Sequence, residues 1–170
     1  MQNDVRIRPI TVDDTNNIIK WRNSEAVMKN FIYRKRLTKN DHLKWIKNRI
    51  NKKEVYQFVA EDIKYKKEFG STYIKDVDKN NKKAELGIFI GEDSYRGKGY
   101  GTKLIELTTD YAFKKLKLNK IYARILYYNK PSYNAFIRCG YKKDAVLRDD
   151  VLIGRKYYDV IIMSKLKNDK

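Results

Sequence analysis

The sequence predicts a single α/β domain. Short apolar strands alternate with amphipathic helical segments along the chain, and a glycine-rich turn joins one of those strands to a helix. No linker, repeat or low-complexity stretch divides residues 1–170. One domain of 170 residues can bury a substantial core, and 42% hydrophobic residues supply it.

The elements follow in order. Val5–Pro9 reads as a short first strand. Thr11-Val12-Asp13-Asp14 supplies a helix start, because short polar side chains accept from the unpaired N–H groups of a first turn; Ile18, Ile19 and Trp21 follow it. Thr38 and Asp41 open another helix in the same way, with Leu43, Ile46 and Ile50 at helical spacing. Residues 55–61 and 69–77 alternate as strands joined by a lysine-rich turn, and residues 84–90 form the central strand. The helix that begins near Thr102 is expected to bury Leu104, Leu107, Tyr111 and Leu116 on one face. Residues 120–127 form a further strand. Pro131 then suits the first position of a helix, and Gly140 the residue past its last turn. Tyr157-Tyr158-Asp159 leads into the closing strand, up to Met163.

The chemistry concentrates in Arg96-Gly97-Lys98-Gly99-Tyr100-Gly101. Glycines admit positive φ and a close backbone approach, and the unpaired N–H groups of a first helical turn face whatever lies in front of them. Arg96 and Lys98 add positive charge, so the segment is built to hold a phosphate or pyrophosphate. No Walker loop fits, because no Gly-x-x-x-x-Gly-Lys-Ser/Thr run occurs. A dinucleotide fingerprint fails as well: the sixth position from Gly97 is Thr102, and the residues about 20 positions on are lysines and apolar groups rather than an acid. Arg/Gln-x-x-Gly-x-Gly/Ala does fit, filled by Arg96, Gly99 and Gly101.

That pattern resembles the acetyl-CoA pyrophosphate loop of the Gcn5-related N-acetyltransferases. Asn129-x-x-Ser132, a helix, and Cys139-Gly140-Tyr141 are similar to the second half of the same superfamily, and the segment from Tyr157 resembles the closing strand of its ribosomal-protein and spermidine branch. The resemblance implies a mixed central sheet of about seven strands, splayed after the fourth and flanked by about four helices. It implies acetyl-CoA as acetyl-donor cosubstrate, with Arg96, Gly97, Lys98, Gly99, Tyr100, Gly101 and Thr102 on the pyrophosphate. It also sets the backbone of Ile88, Phe89 and Ile90, together with Asn129 and Ser132, along the pantetheine arm.

Acetyl transfer from a thioester needs a neutral amine, a donor for the tetrahedral oxyanion and a proton for the departing thiolate. Proximity supplies much of the rate. Related enzymes often carry a glutamate where this chain has Glu85, which is expected to act as base; otherwise it is a strand-edge carboxylate paired with Lys82, Lys83 or Arg124. The superfamily's usual acid, a tyrosine, falls at Phe136, which has no proton to give. Ser132 is the expected acid and Tyr133 its alternative, while Cys139 reads as a small buried hydrophobe.

Trp21, Arg22, Tyr33, Arg34 and His42 are the expected acceptor-binding residues. Trp21-Arg22-Asn23 with His42-x-x-Trp45 is similar to acetyltransferases of nucleotide-linked amino sugars, as in pseudaminic acid synthesis. The expected reaction is therefore N-acetylation of a small-molecule amine on such a carrier. A protein N-terminus, a polyamine and a non-catalytic CoA-sensing role are the alternatives. Thirty-nine Lys and Arg against 21 Asp and Glu give +18, but the lysines are spread out and form no basic tail, so a solvated surface is expected rather than a nucleic-acid site. One cysteine and one histidine allow neither a disulfide nor a Cys/His metal cluster. No apolar run nears the ~20 residues of a membrane span, nor is there a signal-peptide core. The expectation is a cytoplasmic, metal-free enzyme, with a homodimer left open.

Overall fold

A computed structural model describes residues 4–169. Seven strands form one sheet: β1 (Val5–Pro9), β2 (Tyr56–Asp62), β3 (Lys67–Asp78), β4 (Lys83–Ile90), β5 (Lys120–Leu126), β6 (Lys142–Ile153) and β7 (Lys156–Leu166). Their order is β1-β2-β3-β4-β5-β7-β6, so the strand expected to be central is the middle one. Every neighbouring pair is antiparallel except β4 with β5, and the sheet is therefore mixed. Five helices flank it: α1 (Thr15–Asn23), α2 (Glu25–Met28), α3 (Lys39–Trp45), α4 (Tyr100–Lys114) and α5 (Lys130–Arg138). The one beyond the expected four is α2, a single turn.

The alternation of β3 and β4 splits the core between two faces. On one face Ile74, Ala84 and Leu86 pack with Ile105 and Ala112 of α4 and with Phe136 of α5. On the other, Val59 and Phe89 meet Ile18, Trp21 and Val27 from the first helices. Tyr73, Lys75, Glu85 and Gly87 follow the second face by the same period of two. All four of these residues line the cavity described below.

Two helices bury faces other than those expected. α4 buries Leu104, Ile105, Thr108, Thr109 and Ala112, while Leu107 and Tyr111 are half-buried flanks and Leu116 lies past the helix end. Wedged between sheet and α5, it must cover two directions, and its threonines are satisfied there. Thr108 donates to the Leu104 carbonyl at 2.7 Å, and Thr109 shares a 2.6 Å hydrogen bond with the Tyr141 hydroxyl. In α3 the Thr38–Asp41 capping box forms as expected, but His42 and Ile46 face inward and Leu43 is exposed. A π-helical turn over Ile46–Ile50 inserts a residue and resets the phase, so the three aliphatic positions do not share one face.

Candidate active site

β4 and β5 pair only through Lys83↔Lys120, Ala84↔Ile121 and Glu85↔Tyr122. Beyond Glu85 the strands part, while β5 stays paired with β7 through Leu126. A cavity of about 880 Å³ opens in the gap, lined by residues 86–90 on one side and 123–125 on the other. The β4 backbone facing it has no ladder partner there. An unpaired strand edge is a template for an extended ligand with alternating donors and acceptors. The splay after the fourth strand is the one the family resemblance implies.

The glycine loop closes the wide end. Gly99, with φ of 84°, is the N-cap of α4, a left-handed conformation that a β-branched residue could not take without strain. Arg96, Gly97, Gly99, Gly101 and Thr102 all line the cavity, so the first turn of α4 opens onto it. Arg96 also braces the loop. Its guanidinium donates to the Ile90 carbonyl at 2.9 and 3.1 Å and pairs with Asp93 at 2.5 Å, which fastens the loop to the end of β4. Lys98 is exposed, and Tyr100 turns away to pack on Phe69 and Tyr95. Neither belongs to the lining.

Glu85 marks the narrow end, 8% exposed. Its partner is Lys75 at 3.2 Å, not Lys82 or Lys83, because Lys75 is its direct cross-strand neighbour on β3. Burial raises the Glu85 carboxyl above the usual range, and Lys75 followed by Arg124 only partly counters it. Burial pushes the Lys75 ammonium down, but Glu85 and Asp76 outweigh it and the ammonium ends above its ordinary value. The pair therefore keeps Lys75 charged, while burial leaves Glu85 easier to protonate than an exposed carboxylate. Tyr73, two residues before Lys75, lies over Gly87, where a Cβ would overlap its ring and hydroxyl. Sequence reasoning missed Tyr73 and Lys75. Only the register of β3 against β4 brings them to Glu85, and no local pattern encodes that register.

On the opposite wall, Asn129 caps α5 by accepting from the Ser132 backbone N–H at 3.3 Å. Ser132 and Phe136 line the cavity. Phe136 is 2% exposed and meets Tyr141 edge-on. Tyr133 packs half-buried against the core and is not in the lining, because Ala135 and Phe136 set the inward face of this short helix. Cys139 is buried, with its thiol pushed up to about 11 by burial, which suits an inert packing role.

Of the five expected acceptor residues, Tyr33 lines the cavity. Trp21 is a core residue, 2% exposed, whose indole N–H donates to Glu92 at 2.8 Å. His42 is equally buried, with Nδ1 3.1 Å from the Thr15 hydroxyl oxygen, and burial lowers its pKa. Arg34 donates to the Lys29 carbonyl at 2.5 Å and to the Tyr128 hydroxyl, holding the 29–34 loop. Arg22 lies behind Phe31, its Cζ 3.4 Å from the ring centroid, with Nη1 buried and unpartnered. Helix packing claims Trp21 and His42, and loop bracing claims Arg34. Among the described residues, no group of three or more His, Cys, Asp or Glu could hold a metal ion, and no helix is long and apolar enough to cross a membrane.

Residues 4–142 match the acetyltransferase (GNAT) domain family. The chain belongs to the GNAT family. Its fold superposes with a TM-score of 0.91 on a spermidine N-acetyltransferase from Vibrio cholerae solved with CoA and spermine, covering 98% of this chain and 97% of that one at 23% identity. That likeness speaks for the GNAT fold alone. In sequence, the chain is 30% identical over 116 residues to a Vibrio cholerae spermidine N(1)-acetyltransferase, which is 66% of each protein. It is 31% identical over 93 residues to an uncharacterized N-acetyltransferase, p20, of Bacillus licheniformis, covering 55% of this chain and 52% of the relative. The chain thus spans between half and two thirds of these GNAT relatives.

Proposed function

We propose that this protein moves the acetyl group of acetyl-CoA to a primary amine by direct attack in a ternary complex. One observation carries the reading: a single cavity joins the glycine loop, the unpaired edge of β4 and the buried Glu85. The loop and the first turn of α4 take the pyrophosphate. The backbone of Ile88, Phe89 and Ile90 takes the pantetheine arm as an added strand would be taken, with Asn129 and Ser132 on the far wall. Glu85, or a water it holds, removes the proton from the attacking nitrogen, and its raised pKa suits that task. Two lining hydroxyls near the arm, those of Ser132 and Tyr73, are the sources to weigh for the thiolate proton.

The names of the relatives support a polyamine acceptor over a nucleotide-linked amino sugar. The lining charge favours the second. Lys29, Lys75 and Arg124 face the acceptor end and Glu85 is its one lining carboxylate among the described residues, a poor match to a polycation. A thiol-release screen with polyamines, nucleotide-linked amino sugars and peptides with free N-termini decides the class. Turnover of any amine supports the proposed reaction. Tight acetyl-CoA binding with no thiol release from any set would refute it and leave a CoA-sensing module.

A further inference from the structure

We propose that the Tyr73 hydroxyl donates the proton taken up by the departing CoA thiolate, an assignment that rests on the acetyl-transfer reading above. The position of the sulfur follows from the gap. The pyrophosphate loop begins just past Ile90, so the arm runs back along β4 toward Glu85, where pairing with β5 resumes. At about 3.3 Å per residue, the stretch from Ile90 to Leu86 is ~13 Å, which leaves the thioester near Leu86 and Gly87.

Tyr73 is the direct partner of Gly87 across the β3–β4 ladder. A Cβ at residue 87 would overlap the Tyr73 ring and hydroxyl oxygen, so the phenol lies across β4 rather than beside it. Neighbouring strands are ~4.8 Å apart, and a phenol laid over that spacing brings its hydroxyl to the edge of the gap. Only glycine at 87 permits this. Tyr73 lines the cavity, and no hydrogen bond to another described residue holds its hydroxyl.

The competing groups are less well placed. Phe136 occupies the family's usual acid position without a hydroxyl. Ser132 follows the end of β5, which runs parallel to β4, and therefore stands at the wide end of the gap, away from the closure at Glu85↔Tyr122. Around Tyr73, burial raises the phenol pKa, so it keeps its proton until a thiolate forms. Lys75 and Arg22 pull the other way and steady the phenolate left behind, while Glu85 and Asp76 oppose them.

The step balances. The nitrogen bonds to the acetyl carbon, the C–S bond breaks with its electron pair on sulfur, and sulfur takes the Tyr73 proton. The surplus proton on nitrogen passes to Glu85 and out to solvent, and the phenolate regains a proton from solvent.

The test uses the full chain and an acceptor turned over in the screen. Tyr73→Phe should lower kcat by ~10²-fold with the KM for acetyl-CoA unchanged, while Ser132→Ala, a change in the cofactor wall, should act on that KM without a comparable loss of kcat. Fluorotyrosines of stepwise lower phenol pKa at residue 73 should change kcat in monotonic order, which a packing role would not produce. Phe136→Tyr should restore part of the loss in the Tyr73→Phe background. Wild-type kcat in Tyr73→Phe, a flat fluorotyrosine series, or a ~10²-fold loss in Ser132→Ala would each overturn the assignment while leaving acetyl transfer intact. A wild-type chain that acetylates nothing overturns both.

Discussion

Glu85 and Lys75 face each other across one rung of the sheet, and their common burial sets how the site responds to pH. In its proposed role as base Glu85 works only when ionised, so activity is expected to fall as acidity protonates it. Because burial raises its pKa, that acidic limb in kcat/KM should lie above the ordinary glutamate value of about 4.3. Removing the cation with Lys75→Met should push the limb to still higher pH. Glu85→Gln should abolish it and lower kcat by ~10²-fold or more. A limb that persists in Glu85→Gln would assign it to another group. None of this pairing is legible residue by residue: Lys82 and Lys83 are nearer in sequence, yet a cross-strand neighbour ten positions away wins. Trp21 and His42 mislead for the opposite reason. An aromatic or imidazole beside arginines reads alike whether it lines a pocket or fills a core, and here the packing of α1 on α3 claims both.

Local rules decide the elements more completely. The first strand falls at Val5–Pro9 as alternation predicts, and the Thr38–Asp41 box forms because both partners lie within one turn. Gly99 and Gly140 take positive φ where the motif and the helix end require it. The helix faces are less legible. α4 is buried on two sides, and the π turn after α3 shifts its phase, neither of which a period of 3.6 can anticipate. α5 rests on its cap, since Asn129 both starts the helix and stands on the cavity wall. Asn129→Ala should therefore cost about 0.5–2 kcal/mol of stability, read as a lower urea midpoint at unchanged m-value. It should weaken acetyl-CoA binding in parallel. Loss of stability with unchanged affinity would separate the cap from the cofactor wall.

At the scale of the molecule, function follows from one break in the sheet. Seven strands joined by five antiparallel contacts and one parallel contact would close completely if β4 and β5 kept pairing, but these two separate after three rungs and leave a strand edge facing a cavity. The glycine motif announces a phosphate end, whereas the gap itself is a property of strand order and register and is legible only through family resemblance. The net charge of +18 favours anionic ligands in general and does not select among acceptors. Amide hydrogen exchange with and without acetyl-CoA reads the occupancy of this gap residue by residue. Slowed exchange is expected in residues 86–90 and 97–102, with little change in β1 and β2 and loss of the effect in Gly99→Val. Acetyl-CoA binding that protects neither the β4 edge nor the glycine loop would contradict this placement of the cofactor.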